Sequence, residues 1–336
     1  MDYEYNSHDL EAAKKLDDFL PDRIFDAHMH IHDNTYLTGN KDDGSGNSTH
    51  DRKDVNDYLS DMRPLLGANR NIQLNTIIHP DRRLAEDAAF MSASDKFLVG
   101  QLELYPENVG EIVIFPRETT DDIRRRIVHP RIRGLKCYHV FADRPTTWDA
   151  YIEEYLPESA WEIADEKNLA ITLHMVRDKA LADPGNLSYI QSMSKRYPNA
   201  ILILAHAARS FAAWTAIESV EALRTYENVW FDFSAICESP AMIQILKTVG
   251  VSRCMWGSDY PVSCFSGKAI SIGDSFYWIY NKDLERFKGA TKFNSWQVGT
   301  ENLMAVRQAC IIRDLSRNDI EKLFFSNAEN LFRRNL

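Results

Sequence analysis

Eight short apolar runs rich in β-branched residues punctuate the chain, at residues 24–27, 72–78, 97–104, 132–138, 170–173, 200–205, 229–233 and 253–256. Amphipathic stretches of helical length lie between most of them. The clearest are 54–66, 82–92, 157–167, 187–197, 212–225 and 241–249. Strands alternating with helices predict a parallel sheet, and eight such units in one chain predict a closed (β/α)8 barrel. The alternative, a doubly wound open sheet, wants a glycine-rich turn after an early strand, and no G-x-G-x-x-G occurs. The whole chain, 1–336, is expected to be one barrel domain. Residues 1–20 are expected to form a short helical extension outside it, and 265–297, rich in aromatics, an insertion after the eighth strand that caps the mouth or makes a dimer contact. The polar segment 40–49 reads equally as a lid over the mouth and as a plain solvated loop.

Charge and composition narrow the chemistry. With 39 basic and 49 acidic side chains the net charge is −10. That disfavours nucleic acid and anionic membrane surfaces as partners, while leaving room for an anionic small molecule at a local cluster of arginines. No apolar stretch is long enough to span a bilayer, and the start of the chain lacks the features of a signal peptide. The five cysteines, Cys137, Cys237, Cys254, Cys264 and Cys310, are widely spaced with no C-x-x-C. They read as reduced thiols of a cytoplasmic protein.

The ends of four runs carry metal-ligand side chains. The first leads into His28-Met29-His30, whose imidazoles share one face of a strand. The fifth ends at His174, the sixth at His206, and the eighth at Asp259. Each has an ordinary reading alone, a structural histidine or a turn aspartate. In a barrel, however, all C-terminal strand ends meet at one mouth. Neutral imidazole with carboxylate suits Zn²⁺, Fe²⁺ or Mn²⁺.

The order His-x-His, His, His, Asp, with Phe25-Asp26-Ala27-His28-Met29-His30, Trp256-Gly257-Ser258-Asp259-Tyr260-Pro261 and the closing Ser326-Asn327-Ala328, resembles the amidohydrolase superfamily, in its amidohydrolase 2 branch. The resemblance covers nearly the whole chain. It implies a TIM barrel with one divalent metal, zinc first, manganese or iron otherwise. The ligands would be His28, His30, His174 and Asp259. Asp259 would also act as general base, and His206 would polarise the substrate oxygen or serve as a further ligand. Lys136 would bridge a second metal only if carboxylated; otherwise it would contact substrate or pack structurally.

Arg177 and Arg209 each follow a site histidine by three residues. Either would offer a fork for a substrate carboxylate, or pair with a loop acid such as Asp178 or Asp183. His79, Tyr105 and His139 are further candidates for substrate contact, and Asp232 and Ser234 lie on the seventh run. The leading expectation is a hydrolase of a small carboxylate-bearing ester, lactone or amide. The alternative is a non-oxidative decarboxylase of the same branch, whose Arg-Phe and Pro-Leu-Gln-like segments are replaced here by Lys96-Phe97 and Leu104-Tyr105-Pro106-Glu107. A non-catalytic ligand-binding barrel is the remaining alternative, and a homo-oligomer is compatible with the composition.

Overall fold

A computed structural model describes residues 4–36, 51–284 and 295–334. The 40–49 loop lies outside the described residues. In chain order the strands are β1 (Arg23–Asp33), β2 (Arg52–Lys53), β3 (Asn71–Ile78), β4 (Val109–Val113), β5 (Ile132–Tyr138), β6 (Ala170–His174), β7 (Ile201–Leu204), β8 (Val229–Asp232) and β9 (Cys254–Met255). They form one sheet in the order β2-β1-β3-β4-β5-β6-β7-β8-β9, with every pair parallel except the short β1–β2 pair. The ring closes between its ends. Ala27 N–H donates to the Trp256 carbonyl at 3.1 Å, His30 N–H to Tyr260 at 2.8 Å, and Asp259 N–H to His28 at 2.7 Å. The result is the expected (β/α)8 barrel.

Two packing layers follow from strand alternation. Phe25 and Ala27 join Ala170, Ile203 and Met255 inside the lower barrel, where Phe325 and Phe332 of the last helices close the floor. Met29 and Ile31 face outward, into the apolar layer between strands and helices. The switch from odd-numbered to even-numbered residues facing inward occurs at a β-bulge. Between Asp26 and Met29 the register of β1 against β3 slips by one residue. That slip turns His28 and His30 into the lumen. Asn327 secures the opposite edge, its amide donating to the Val251 and Cys254 carbonyls at 2.8 Å each.

One predicted strand is wrong. Residues 97–104 are the second half of a helix, Ala88–Leu104, whose buried Phe90, Ser94, Phe97, Leu98, Gln101 and Leu102 recur at helical spacing. The third barrel strand is β4, where Glu111 interrupts the apolar run. The helix Ser7–Asp17 packs on helices Val55–Leu66 and Val298–Ile312. After the barrel, β10 (Gly267–Ile272) and β11 (Ser275–Tyr280) form an antiparallel hairpin. All five cysteines are buried and unpaired. Among the described residues no helix is long and apolar enough to cross a membrane.

Candidate active site

The C-terminal ends of the strands surround a cavity of about 320 Å³. At its floor, His28 Nε2 and His30 Nε2 are 3.2 Å apart, and Asp259 Oδ1 lies 3.7 Å from the first and 3.4 Å from the second. Two donors each about 2.1 Å from a shared ion at a tetrahedral angle are about 3.4 Å apart, so one divalent ion fits among these three atoms. Protonation states agree. Burial, then the charge of Lys136, holds His28 down at about 3, and the same two causes hold His30 well below the usual histidine range. The rings are neutral and offer lone pairs. His30 Nδ1 and His174 Nδ1 are buried with no hydrogen-bond partner among the described residues.

A second ring of contacts fixes these ligand atoms. His28 Nδ1–H donates to Asp232 Oδ2 at 3.0 Å, which leaves Nε2 unprotonated and aimed inward. The other oxygen of Asp232 accepts from the backbone N–H groups of His206 and Ser234, both at 3.1 Å, and from the Ser234 hydroxyl. Burial alone would raise the Asp232 carboxyl. The interaction with His28, helped by His206 and the Ser234 hydrogen bond, holds it well below the carboxylate range instead. Asp26 ties the first and last barrel strands together. It accepts from Tyr58 Oη at 2.7 Å, Ser258 N–H at 2.9 Å and His28 N–H at 3.1 Å. Burial still pushes it up to about 6.

His206 opens an unusual turn. His206, Ala207, Ala208 and Arg209 all have positive φ, between 51° and 61°, forming one left-handed turn without glycine. The His206 ring stacks on His28 at 5.2 Å and meets His174 edge-on at 5.1 Å. Its Nδ1 faces the Ser234 hydroxyl at 2.9 Å and carbonyl at 3.1 Å. The hydroxyl proton is committed to Asp232, so Nδ1 carries the histidine proton. That leaves Nε2 as the ring atom on the cavity side.

The Amidohydrolase family model matches residues 25–334. The chain belongs to the amidohydrolase family. An L-fucono-1,5-lactonase of Burkholderia ambifaria is 25% identical over 251 residues, 68% of this chain and 78% of that protein. A zinc-bound amidohydrolase of Burkholderia multivorans superposes with a TM-score of 0.57 at 14% identity, covering 92% of this chain and 98% of that one. A dihydroxybenzoic acid decarboxylase of Polaromonas sp., solved with manganese and the inhibitor 2-nitroresorcinol, superposes with a TM-score of 0.58 at 12% identity, covering 93% and 97%. The protein is thus an enzyme of the amidohydrolase superfamily.

The amidohydrolase pocket gathers most of the residues expected from sequence. His30, His79, Lys136, His174, His206, Arg209 and Asp259 line it, and His28 lies directly beneath. Lys136 is buried, with Nζ donating to His28 Nε2 at 3.0 Å; burial lowers its pKa against the pull of Glu111, Asp232 and Asp259. Three residues expected to contact substrate do not line the cavity. Tyr105 caps the C-terminus of helix Ala88–Leu104 and precedes β4 instead of following the third strand, so it does not reach the cavity. Arg177 is held by Asp183 at 2.8 Å and by the Asp149 carbonyl at 3.0 Å, away from the lining. His139 lies behind the wall, with Nδ1 3.0 Å from the Thr147 hydroxyl and its ring 4.1 Å from that of Trp148.

Two contributions were missed in whole or in part. The upper wall is aromatic: Trp148 and Phe211 were not foreseen, while Phe276 and Trp278, from alternate positions of β11, belong to the 265–297 segment expected to cap the mouth or make a dimer contact. The other is Glu111, fully buried in the barrel. It accepts from Asn75 at 2.7 Å and from the Thr172 hydroxyl at 2.8 Å. A Cβ at Gly134 would stand 2.7 Å from its side chain, so only glycine on β5 admits it. Burial raises Glu111 to about 7 against those hydrogen bonds and the charge of Lys136.

Proposed function

We propose that this enzyme is a metal-dependent hydrolase that opens a small ester, lactone or amide. The observation that carries the reading is the convergence of His28 Nε2, His30 Nε2 and Asp259 Oδ1, with His28 oriented by Asp232. His28, His30 and Asp259 would hold one divalent ion, zinc in the first place, with His174 completing the set from the facing wall. Such an ion supplies Lewis acidity and brings the pKa of water towards neutrality. Manganese or iron suits the same donors.

The side chains divide the remaining work. Asp259, at the pocket floor, accepts the proton of the attacking water. His206, with Nδ1–H held by Ser234, offers Nε2 to accept that proton and return it to the leaving oxygen or nitrogen. Lys136, whose Nζ lies 3.0 Å from His28 Nε2, borders the set as an uncarboxylated amine. The aromatic wall excludes water above.

The kinship to a lactonase over two thirds of the chain favours hydrolysis. Decarboxylation is the competing outcome on this barrel. Purified protein is to be assayed on lactones and carboxylic esters by acid release, and on the corresponding free acids by CO₂ release. Acid release with no CO₂ is expected. CO₂ release alone would replace hydrolase by decarboxylase.

A further inference from the structure

Arg209 differs from the other cations near the mouth. Arg177 is engaged by Asp183 and Asp149, and Lys136 by His28. Among the described residues no hydrogen bond or ion pair engages the guanidinium of Arg209. It lies instead between two rings, 5.4 Å from the centre of Trp148 and 5.0 Å from that of Phe276. Aromatic neighbours grip a guanidinium through its π-face and leave its edge of N–H donors open. A largely buried cation with no direct ion pair, Asp178 acting on it only through its charge, is costly, and an incoming carboxylate would relieve that cost with a bidentate, charge-assisted pair.

The backbone points the same way. The left-handed turn from His206 to Arg209 brings residues one turn apart onto the same cavity, at a conformational cost that ordinary connection of two elements does not require. The clamp also draws on three separate insertions. Trp148 follows β5, Arg209 follows β7, and Phe276 belongs to the hairpin after β9. No second unengaged arginine lines the cavity among the described residues.

We propose that Arg209, clamped between Trp148 and Phe276, receives one carboxylate, so that the substrate of this pocket is a monocarboxylate. The proposal rests on the reading of the pocket as the hydrolase's substrate site. A neutral analogue leaves the buried guanidinium unpaired. A second carboxylate finds no further arginine on the lining, only the aromatic wall, the acidic floor at Asp259 and Lys136, whose Nζ is already bonded to His28 Nε2.

Calorimetric titration with benzoate, its neutral isostere benzamide and the dicarboxylate isophthalate tests this without requiring turnover. The protein as purified is expected to bind benzoate at least tenfold more tightly than benzamide, and isophthalate no more tightly than benzoate. Arg209→Met should erase the benzoate preference. Phe276→Leu, on the hairpin outside the barrel, should weaken it several-fold, which covers the case in which the arginine variant fails to fold. Equal binding of benzoate and benzamide would overturn the proposal. So would a preference that survives Arg209→Met, which would put the carboxylate at the histidine–aspartate floor, or a tenfold advantage for isophthalate. Preference without any ester or lactone turnover would sink the hydrolase reading and leave the carboxylate receptor standing.

Discussion

Single atoms decide whether this site can work, and the least conspicuous of them is the Asp232 oxygen facing His28 Nδ1. An Asp232→Asn amide keeps the shape but can place N–H₂ towards Nδ1. The His28 proton then moves to Nε2 and the inward lone pair is lost. Metal affinity is expected to fall about 10–100-fold with the fold retained, read by competition with a chelating indicator. Glu111 gives a second residue-level prediction. Its folded pKa of about 7 exceeds the ordinary 4.5, so across that window the folded state holds more proton than the unfolded one. Its contribution to stability is therefore present at low pH and lost as pH rises through 7. Glu111→Gln removes that slope, and its stability relative to the parent should climb between pH 4.5 and 7 by on the order of 1–3 kcal/mol. Thermal melts in paired buffers check it. The metal-type residues were legible because strand alternation alone puts His28 and His30 on one face. Glu111 was not, because a charged residue inside an apolar run reads as a break until Gly134 is seen to make room for it.

At the scale of the element, the bulge in β1 and the left-handed turn after β7 aim the chemistry. The turn is strained at about 1–2 kcal/mol per non-glycine residue. Ala207 is fully buried, so Ala207→Gly forfeits one methyl group, about 0.8 kcal/mol. Relief outweighs loss, and the variant is expected to be at least as stable as the parent in urea unfolding. A loss above 1 kcal/mol would show that the turn is not strained as described. Neither feature shows in a hydropathy pattern, since a one-residue slip or a positive φ leaves no signal where no glycine marks it. The misread strand at 97–104 has a different origin. Its short apolar run fits either period, and only extension back to Phe90 reveals the helix. Misplacing that element carried Tyr105 to the wrong end of the barrel.

For the molecule as a whole, convergence was the legible part. Residues more than 200 positions apart meet because a (β/α)8 barrel collects all C-terminal strand ends, and the sequence shows which residues stand there. What covers the mouth was not legible. Connections after strands carry no period, and the aromatic run of 265–297 fitted a cap and an external contact equally well. The structure places Phe276 and Trp278 of the hairpin on the cavity. We propose that His28, His30, His174 and Asp259 hold one divalent ion on which turnover depends. Metal analysis of protein purified without chelator, alongside its His30→Ala variant, decides it. One equivalent per chain in the parent is expected, with metal and turnover both falling to background in the variant. Two equivalents in the parent would bring Lys136 into the ligand set, and a His30→Ala protein that keeps its metal and its turnover would contradict the account.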